Sequence, residues 1–288
     1  MSVVERATGN VLDVTSQIRA REVHSEGGNF ASVITLDQDH LRSNGLYTTE
    51  AQSEQQGLEL RAIKRRLLRR IGFLRDSNDR RTRSGSGRLN NLIMVTSSAA
   101  GEGKTFSALN LALSFAFEDK IDTLLVDADL HRPMVRNRLG LSSMPGLAQK
   151  ILDPALDLHD LRVGVDGAPL AIVTEGSRVE KDLSIFSNRD SAAIWLDLAA
   201  RQPNGLVIVD APPVLATADA VLLAKYMDEI VFVVESGKTT DAAISSALDE
   251  LLDVNGKISL LLNRCLLGSG GTHYGSYEYY GKSDGEDD

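Results

Sequence analysis

A chain of 288 residues with 42% hydrophobic and 25% charged positions has the make-up of an ordinary globular protein and room for one sizeable α/β domain with tails. No run reaches the roughly 18 apolar residues of a membrane span, the N-terminal MSVVERATGN puts Glu5 and Arg6 where a signal peptide needs an apolar core, and the single Cys265 excludes an intrachain disulfide, so a reducing cytoplasm is the expected compartment. The net charge of −9 argues against broad nucleic-acid binding, yet residues 61–88 hold eleven Arg or Lys against only Asp76 and Asp79, a local balance near +9.

Residues 1–55 are polar, carry no sustained periodicity and are expected to be poorly ordered. From Leu60 the apolar residues Ile63, Leu67, Ile71 and Leu74 recur at helical spacing. Residues 56–88 therefore read as a basic amphipathic helix followed by a flexible linker, RRTRSGSGR at 80–88. Such a block suits either a solvated helix face or an anionic surface or partner. At Asn91 the pattern changes. NLIMVTS (91–97) suits a buried strand, a glycine-rich turn follows, and a helix is expected from Lys104 to about Phe117. Further apolar runs at 123–127, 170–173, 206–210, 229–234 and 258–263 read as strands. Helical patterns at 189–201, 216–226 and 240–254 lie between them. Continuous apolar strands alternating with helices make 89–267 an α/β domain with a mostly parallel sheet covered by helices on both faces. Ligands bind such sheets at the carboxyl ends of the strands. Cys265 reads as a small apolar residue ending the last strand, with a reactive thiol as the alternative. Residues 268–288, GSGGTHYGSYEYYGKSDGEDD, offer nothing for a core and are expected to be disordered.

The first strand runs into Ser98-Ala99-Ala100-Gly101-Glu102-Gly103-Lys104-Thr105, which fits G-x-x-x-x-G-K-[ST] except for Ser98 in place of the first glycine. A strand before and a helix after are the context a phosphate-binding P-loop requires. Gly101 and Gly103 let the backbone turn so that successive N–H groups face phosphate oxygens, and the helix start adds its positive dipole end. The nucleotide-contacting stretch is thus Gly101, Glu102, Gly103, Lys104, Thr105 and Phe106. The Lys104 ammonium reaches the β- and γ-phosphates of ATP, and the Thr105 hydroxyl is placed to ligate Mg²⁺. A dinucleotide fingerprint fits less well, because Phe106 stands where its third glycine belongs. TLLVD ends on Asp127, with Asp129 two residues on, and LVIVD ends on Asp210 before Ala211-Pro212-Pro213. Asp210 takes the Walker B position, holding the metal directly or through water, and Asp127 and Asp129 lie near the same ion. One of them is a candidate to accept a proton from an attacking hydroxyl. Any single strand-end aspartate also suits a helix N-cap, but three beside a P-loop form a catalytic constellation. The five histidines show no metal-binding spacing, and no G-x-S-x-G elbow is present.

VTSSAAGEGKT, LLVDADLHRP and LVIVDAPP, in this order, resemble the Walker A, A′ and B motifs of the bacterial tyrosine kinases (BY-kinases), and the tyrosine-rich tail completes the likeness. Within that family the chain is most similar to the tyrosine autokinases associated with exosortase and exopolysaccharide clusters, over about residues 58 to 282. The resemblance implies a P-loop protein-tyrosine autokinase using ATP and Mg²⁺ and acting in exopolysaccharide synthesis. It implies Lys104, Asp127 and Asp129 as catalytic residues, with Asp127 the base. It implies Thr105, Asp129 and Asp210 around the metal, and Asn263 and Arg264 near adenine. The implied phosphoacceptors are Tyr274, Tyr277, Tyr279 and Tyr280. The implied partner is the cytoplasmic tail of an inner-membrane polysaccharide co-polymerase, carried on a separate chain, with self-assembly into a homo-oligomer or ring, peripheral to the membrane. Two departures stand out. His131 takes the arginine position of the A′ pattern Asp-x-Asp-x-Arg, with Arg132 next. The ring-forming E-x-x-R-x-x-R pattern reads Leu58, Arg61 and Lys64, with Glu59 one place late.

The competing reading is a switch ATPase of the MinD/ParA type, cycling on a membrane or partner surface without kinase activity. That type carries an extra lysine early in the P-loop, where Ser97, Ser98, Ala99 and Ala100 stand here, and it leaves the tyrosine tail without a purpose. A non-catalytic nucleotide-binding regulator is the third reading. The intact Lys104, Thr105, Asp127, Asp129 and Asp210 argue against it.

Overall fold

The computed structural model describes residues 30, 32–48, 54–73, 90–177, 186 and 191–265. The linker at 80–88 and the tyrosine tail at 268–288 lie outside the described residues. Eight strands are present among them: β1 (Ser32–Ile34), β2 (Leu92–Ser97), β3 (Thr123–Asp127), β4 (Val163–Val165), β5 (Leu170–Val173), β6 (Leu206–Asp210), β7 (Glu229–Glu235) and β8 (Ile258–Asn263). They form one sheet in the order β1-β4-β5-β3-β6-β2-β7-β8, parallel throughout except between β4 and β5.

The strands are apolar on both sides because both faces are covered. In β2, Leu92 and Met94 join one core while Ile93 and Val95 join the other, and β3, β6 and β7 alternate in the same way. One face packs α6 (Ser191–Arg201), α7 (Asp219–Ala224) and α8 (Asp241–Leu252), with Trp195 fully buried. The other packs α1 (Gln38–Ser43), α2 (Glu54–Arg70), α3 (Lys104–Phe117) and α4 (Val135–Leu139). The helix α5 (Leu147–Leu152) adds Leu147 to the first core. The central α3 is buried from Ser107 through Ala116, which explains why its sequence is apolar nearly all round. The start of β2 is pinned from a distance: the Asp228 carboxylate accepts the N–H groups of Asn91 and Leu92 at 2.9 and 3.0 Å.

Two expectations change. Residues 32–48, expected to be poorly ordered with the rest of 1–55, are part of the domain. β1 pairs in parallel with β4, Ser32 opposite Val163, and Ile34, Leu36, Leu41 and Leu46 are buried in the second core. A three-residue strand and a six-residue helix are too short to show periodicity, and their partners lie far along the chain. Cys265 does not end a strand buried as a small apolar residue; it is exposed, two residues beyond β8. No helix among the described residues is long and apolar enough to cross a membrane.

On α2 the three ring-pattern positions differ: Leu58 and Arg61 are exposed, and only Lys64 turns inward. Lys64 is buried and pairs with Glu118 at 2.7 Å and Asp119 at 2.6 Å, both just past the end of α3, and Arg61 pairs with Glu118 as well. Here the pattern ties α2 to α3 of the same chain.

Candidate nucleotide and phosphotransfer site

The strand order brings the motifs together. β3, β6 and β2 are neighbours, so Asp127 and Asp210 stand opposite each other in register, and Asp210 stands opposite Val95, three residues before the P-loop begins at Ser98. Strands about 4.8 Å apart thus hold two carboxylates side by side at the carboxyl edge of the sheet.

The loop between β2 and α3 takes the backbone path that only glycine adopts easily. Gly101 and Gly103 have φ of 91° and 102°, and a Cβ on Gly103 would lie 2.0 Å from Asn263 Nδ2. That Asn263 amide donates to the Glu102 carbonyl at 3.0 Å, so the end of β8 clamps the P-loop. The Glu102 carboxylate turns away from the cradle. It accepts from Ser98 Oγ at 2.7 Å, from the Ala99 N–H at 2.9 Å and from Thr239 Oγ1 at 2.7 Å. A carboxylate facing the cradle would repel phosphate, and here it braces the loop instead. Ser98, in place of the usual glycine, supplies one of those braces. Glu102 therefore offers the cradle its backbone and not its carboxylate.

Lys104 Nζ lies 2.7 Å from Asp129 and 3.6 Å from Asp210, and donates to Thr105 Oγ1 at 3.3 Å. Burial pushes its pKa down, but Asp210 and Asp129 more than offset this and keep the amine a cation. Asp210 is fully buried, and neither of its carboxylate oxygens has a hydrogen-bond partner among the described residues. Burial raises it to about 6 against the pull of Lys104. Asp127, also fully buried, is pushed well up by burial and by Asp210. Its oxygens accept the N–H groups of Asp129 at 3.2 Å and Val135 at 3.1 Å, while Asp129 accepts that of Arg132 at 3.0 Å. The two acids thereby fold the loop between β3 and α4.

An open cavity of about 880 Å³ joins these parts. Its wall includes Gly101, Gly103, Lys104, Thr105, Phe106, Asp129, Asn263 and Arg264 among the residues singled out from sequence. Asp127 and Asp210 stand behind that wall. His131, Arg132, Met134 and Arg138 also line it, as do Pro212, Pro213 and Thr217. Pro212 and Pro213 carried a signal as the residues after a strand end, and His131 and Arg132 as the departure from the A′ pattern; Met134, Arg138 and Thr217 carried none. His131, at the departed arginine position, has its Nε2 2.8 Å from the carboxylate of Asp219, a residue on α7 that no motif marks. Arg264, in the left-handed region at φ 56°, pairs with Glu235 at 2.7 Å. Tyr274, Tyr277, Tyr279 and Tyr280 lie outside the described residues, but the chain leaves β8 at Asn263 and Arg264, on the cavity wall itself.

The donor set fits a Mg²⁺ ion that shares its shell with a nucleotide. Among the described residues no three acids or imidazoles form a cage sufficient by themselves. The Asp210 carboxylate, which has the Lys104 ammonium 3.6 Å away, Asp129 and the Thr105 hydroxyl are a partial set of oxygen donors, which is what Mg²⁺ uses when phosphates and water complete its octahedron.

No protein-family model matches the chain. It is 31% identical over 192 residues to the tyrosine-protein kinase YwqD of Bacillus subtilis, covering 67% of this chain and 78% of that one. It is 27% identical over 203 residues to the tyrosine-protein kinase CpsD of Streptococcus agalactiae, covering 69% and 85%. With the tyrosine-protein kinase etk of Escherichia coli it shares 30% identity over 162 residues, but only 22% of that longer protein. Among solved structures, the VpsO kinase domain matches with a TM-score of 0.57 at 28% identity, over 74% of this chain and 98% of that domain. The kinase domain of E. coli ETK matches with a TM-score of 0.61 over 87% and 94%; at 23% identity it speaks for the fold alone.

Proposed function

Because the chain belongs to the bacterial tyrosine-protein kinase family, we propose that it moves the γ-phosphoryl group of ATP onto tyrosines of its own tail: Tyr274, Tyr277, Tyr279 and Tyr280. One observation carries the reading. The tail departs from Arg264, on the wall of the cavity that holds Lys104 and Asp129. Eight residues lie between Cys265 and Tyr274, so nine steps of chain span at most about 30 Å, a length sufficient to cross a cavity of this size. The same reach serves the site of a neighbouring copy.

In this reading the backbone N–H groups from Gly101 to Thr105 cradle the β- and γ-phosphates. Lys104 leaves its ion pair with Asp129 and turns its charge to the phosphates as they enter, stabilising charge that shifts during transfer. Asp129, Asp210 and Thr105 hold Mg²⁺, which when bound neutralises the phosphate oxygens. Asn263 and Arg264 flank the nucleotide at the end of β8. Asp127 is the proton acceptor by family resemblance, and its raised pKa gives it the proton affinity that role needs. A second reading follows from the wall: Asp129 faces the cavity, whereas Asp127 stands behind it with its oxygens occupied by Val135 and Asp129 amides. A base must come within one water of the hydroxyl, and this favours Asp129 for contact and Asp127 for holding the loop.

The family resemblance also supports a regulatory role in exopolysaccharide synthesis and export, with a membrane co-polymerase tail as partner, a cytoplasmic location peripheral to the inner membrane, and homo-oligomerisation. A ring contact through Arg61 and Lys64 would have to share or break their pairs with Glu118 and Asp119.

The test is direct. Purified chain is incubated with ATP and Mg²⁺, and phosphotyrosine is mapped by mass spectrometry. Phosphate on the four tail tyrosines is expected. ATP turnover that leaves every tyrosine unmodified would replace the kinase with a switch ATPase of the MinD/ParA type.

A further inference from the structure

Part of the cavity wall combines exposed apolar side chains with unmatched cations, and of its four members only Phe106 belongs to the stretch singled out for nucleotide contact. Phe106 and Met134 are each 38% exposed there, a large apolar surface for side chains on a cavity rim. Arg132 and Arg138 line the same cavity. Their charges differ from the others nearby. Lys104 is matched by Asp129 at 2.7 Å and Arg136 by Glu175 at 2.8 Å. Arg132 uses its backbone N–H toward Asp129, and its guanidinium pairs with no carboxylate among the described residues. Among the described residues the Arg138 guanidinium meets only the neutral Asn44 Oδ1, at 3.4 Å. On a chain of net charge −9, two unmatched guanidiniums on one cavity wall make a local positive field.

We infer that this wall is an acceptor subsite: Phe106 and Met134 receive the tyrosine ring, and Arg132 and Arg138 select acidic residues beside it. The inference rests on the kinase reading and adds its substrate preference. An aromatic ring packs well against a phenyl ring and a thioether, and planar guanidiniums suit carboxylates. The chain's own tail has this chemistry. Glu278 lies between Tyr277 and Tyr279, Asp284, Glu286, Asp287 and Asp288 follow, and with Lys282 the stretch 274–288 carries −4. The subsite therefore favours tyrosines in acidic sequence, on this chain or another. The other anion at hand is the nucleotide's phosphate, and the experiment separates the two.

A fluorescent peptide of residues 272–288 is titrated against the full chain with Mg²⁺ and a non-hydrolysable ATP analogue. A second peptide carries Glu278→Gln, Asp284→Asn, Glu286→Gln, Asp287→Asn and Asp288→Asn. The acidic peptide is expected to bind about tenfold more tightly at low salt, as two partly exposed charge pairs allow. The gap should narrow with salt and shrink to about twofold in the Arg132→Ser/Arg138→Ser protein, with the analogue's affinity held. Equal affinity of the two peptides for the unmodified chain overturns the subsite, and needs no variant to fold. Lost affinity for the analogue in the arginine variant also overturns it, since the guanidiniums would then serve the nucleotide. Phosphotransfer to both peptides is followed in parallel with ATP. A binding preference without phosphotyrosine keeps the subsite and sinks the kinase reading. Transfer without preference does the reverse.

Discussion

Replacing Gly103 by alanine tests the clamp between β8 and the P-loop. The residue sits at φ 102°, where an L side chain is strained by about 1–2 kcal/mol. The new methyl would lie 2.0 Å from Asn263 Nδ2, so that amide must swing away and give up its bond to the Glu102 carbonyl. A lost hydrogen bond of this kind costs about 1 kcal/mol. The sum is about 2–3 kcal/mol, which for a domain of this size lowers Tm by roughly 5–10 °C. Asn263→Ala alone removes only the hydrogen bond and should cost about 1 kcal/mol. Because that bond is lost once, the double variant should be less destabilised than the sum by about 1 kcal/mol. Calorimetry of the four proteins measures the coupling. Additivity within about 0.4 kcal/mol would mean that the two residues do not touch, and the clamp is wrong.

Lys104→Met should abolish phosphotransfer, and it should also destabilise the nucleotide-free protein by about 2–4 kcal/mol, because Asp129 and Asp210 lose their buried cation; undiminished phosphotyrosine would remove the lysine from the mechanism. Asp127→Asn should keep nucleotide affinity and lose most transfer, since an amide accepts protons poorly; loss of nucleotide as well, in a binding titration, would mark Asp127 as the residue that shapes the loop. For Glu118, burial raises the pKa, but Lys64 and Arg61 outweigh it and hold the carboxyl below its ordinary value. That stabilisation is present above the ordinary carboxylate pKa of about 4.3 and is lost as pH falls through the lower folded-state value, so the Tm gap between wild type and Glu118→Gln should close in acid. A gap that widens there would contradict the ion pairs. Tail phosphorylation should weaken self-association, because each phosphotyrosine places about −1.5 to −2 at the transfer centre beside Asp127, Asp129 and Asp210, past the two guanidiniums of the subsite. Light scattering that gives equal masses for the phosphorylated wild type and Lys104→Met at every concentration and salt level would disconnect the tail from assembly.

Much of the domain was legible residue by residue. The apolar runs at 123–127, 170–173, 206–210 and 258–263 are strands with those same ends, and the helix expected to begin at Lys104 begins there. These features are local. A strand buried on both faces must be apolar throughout, and a phosphate loop needs glycine where φ turns positive, so each leaves its mark in consecutive residues. The Tyr tail and the Asp-x-Asp spacing belong to the same class of signal. Other features exist only through contacts between distant segments. β1 and α1 were hidden because such short elements are stabilised by partners like Val163, more than a hundred residues away. The antiparallel β4, the register that sets Asp127 against Asp210, the capture of His131 by Asp219, and the meeting of Phe106 with Arg138 on one wall are likewise decided by packing. Charge shows the division most clearly. Counting residues shows a basic helix on an acidic chain, whereas only the folded structure distinguishes Lys64, neutralised by Glu118 and Asp119, from Arg132, left facing the cavity. Whether a charge is spent on its own fold or left for a ligand depends on what lies within a few ångströms of it, and that distance is a property of the tertiary structure.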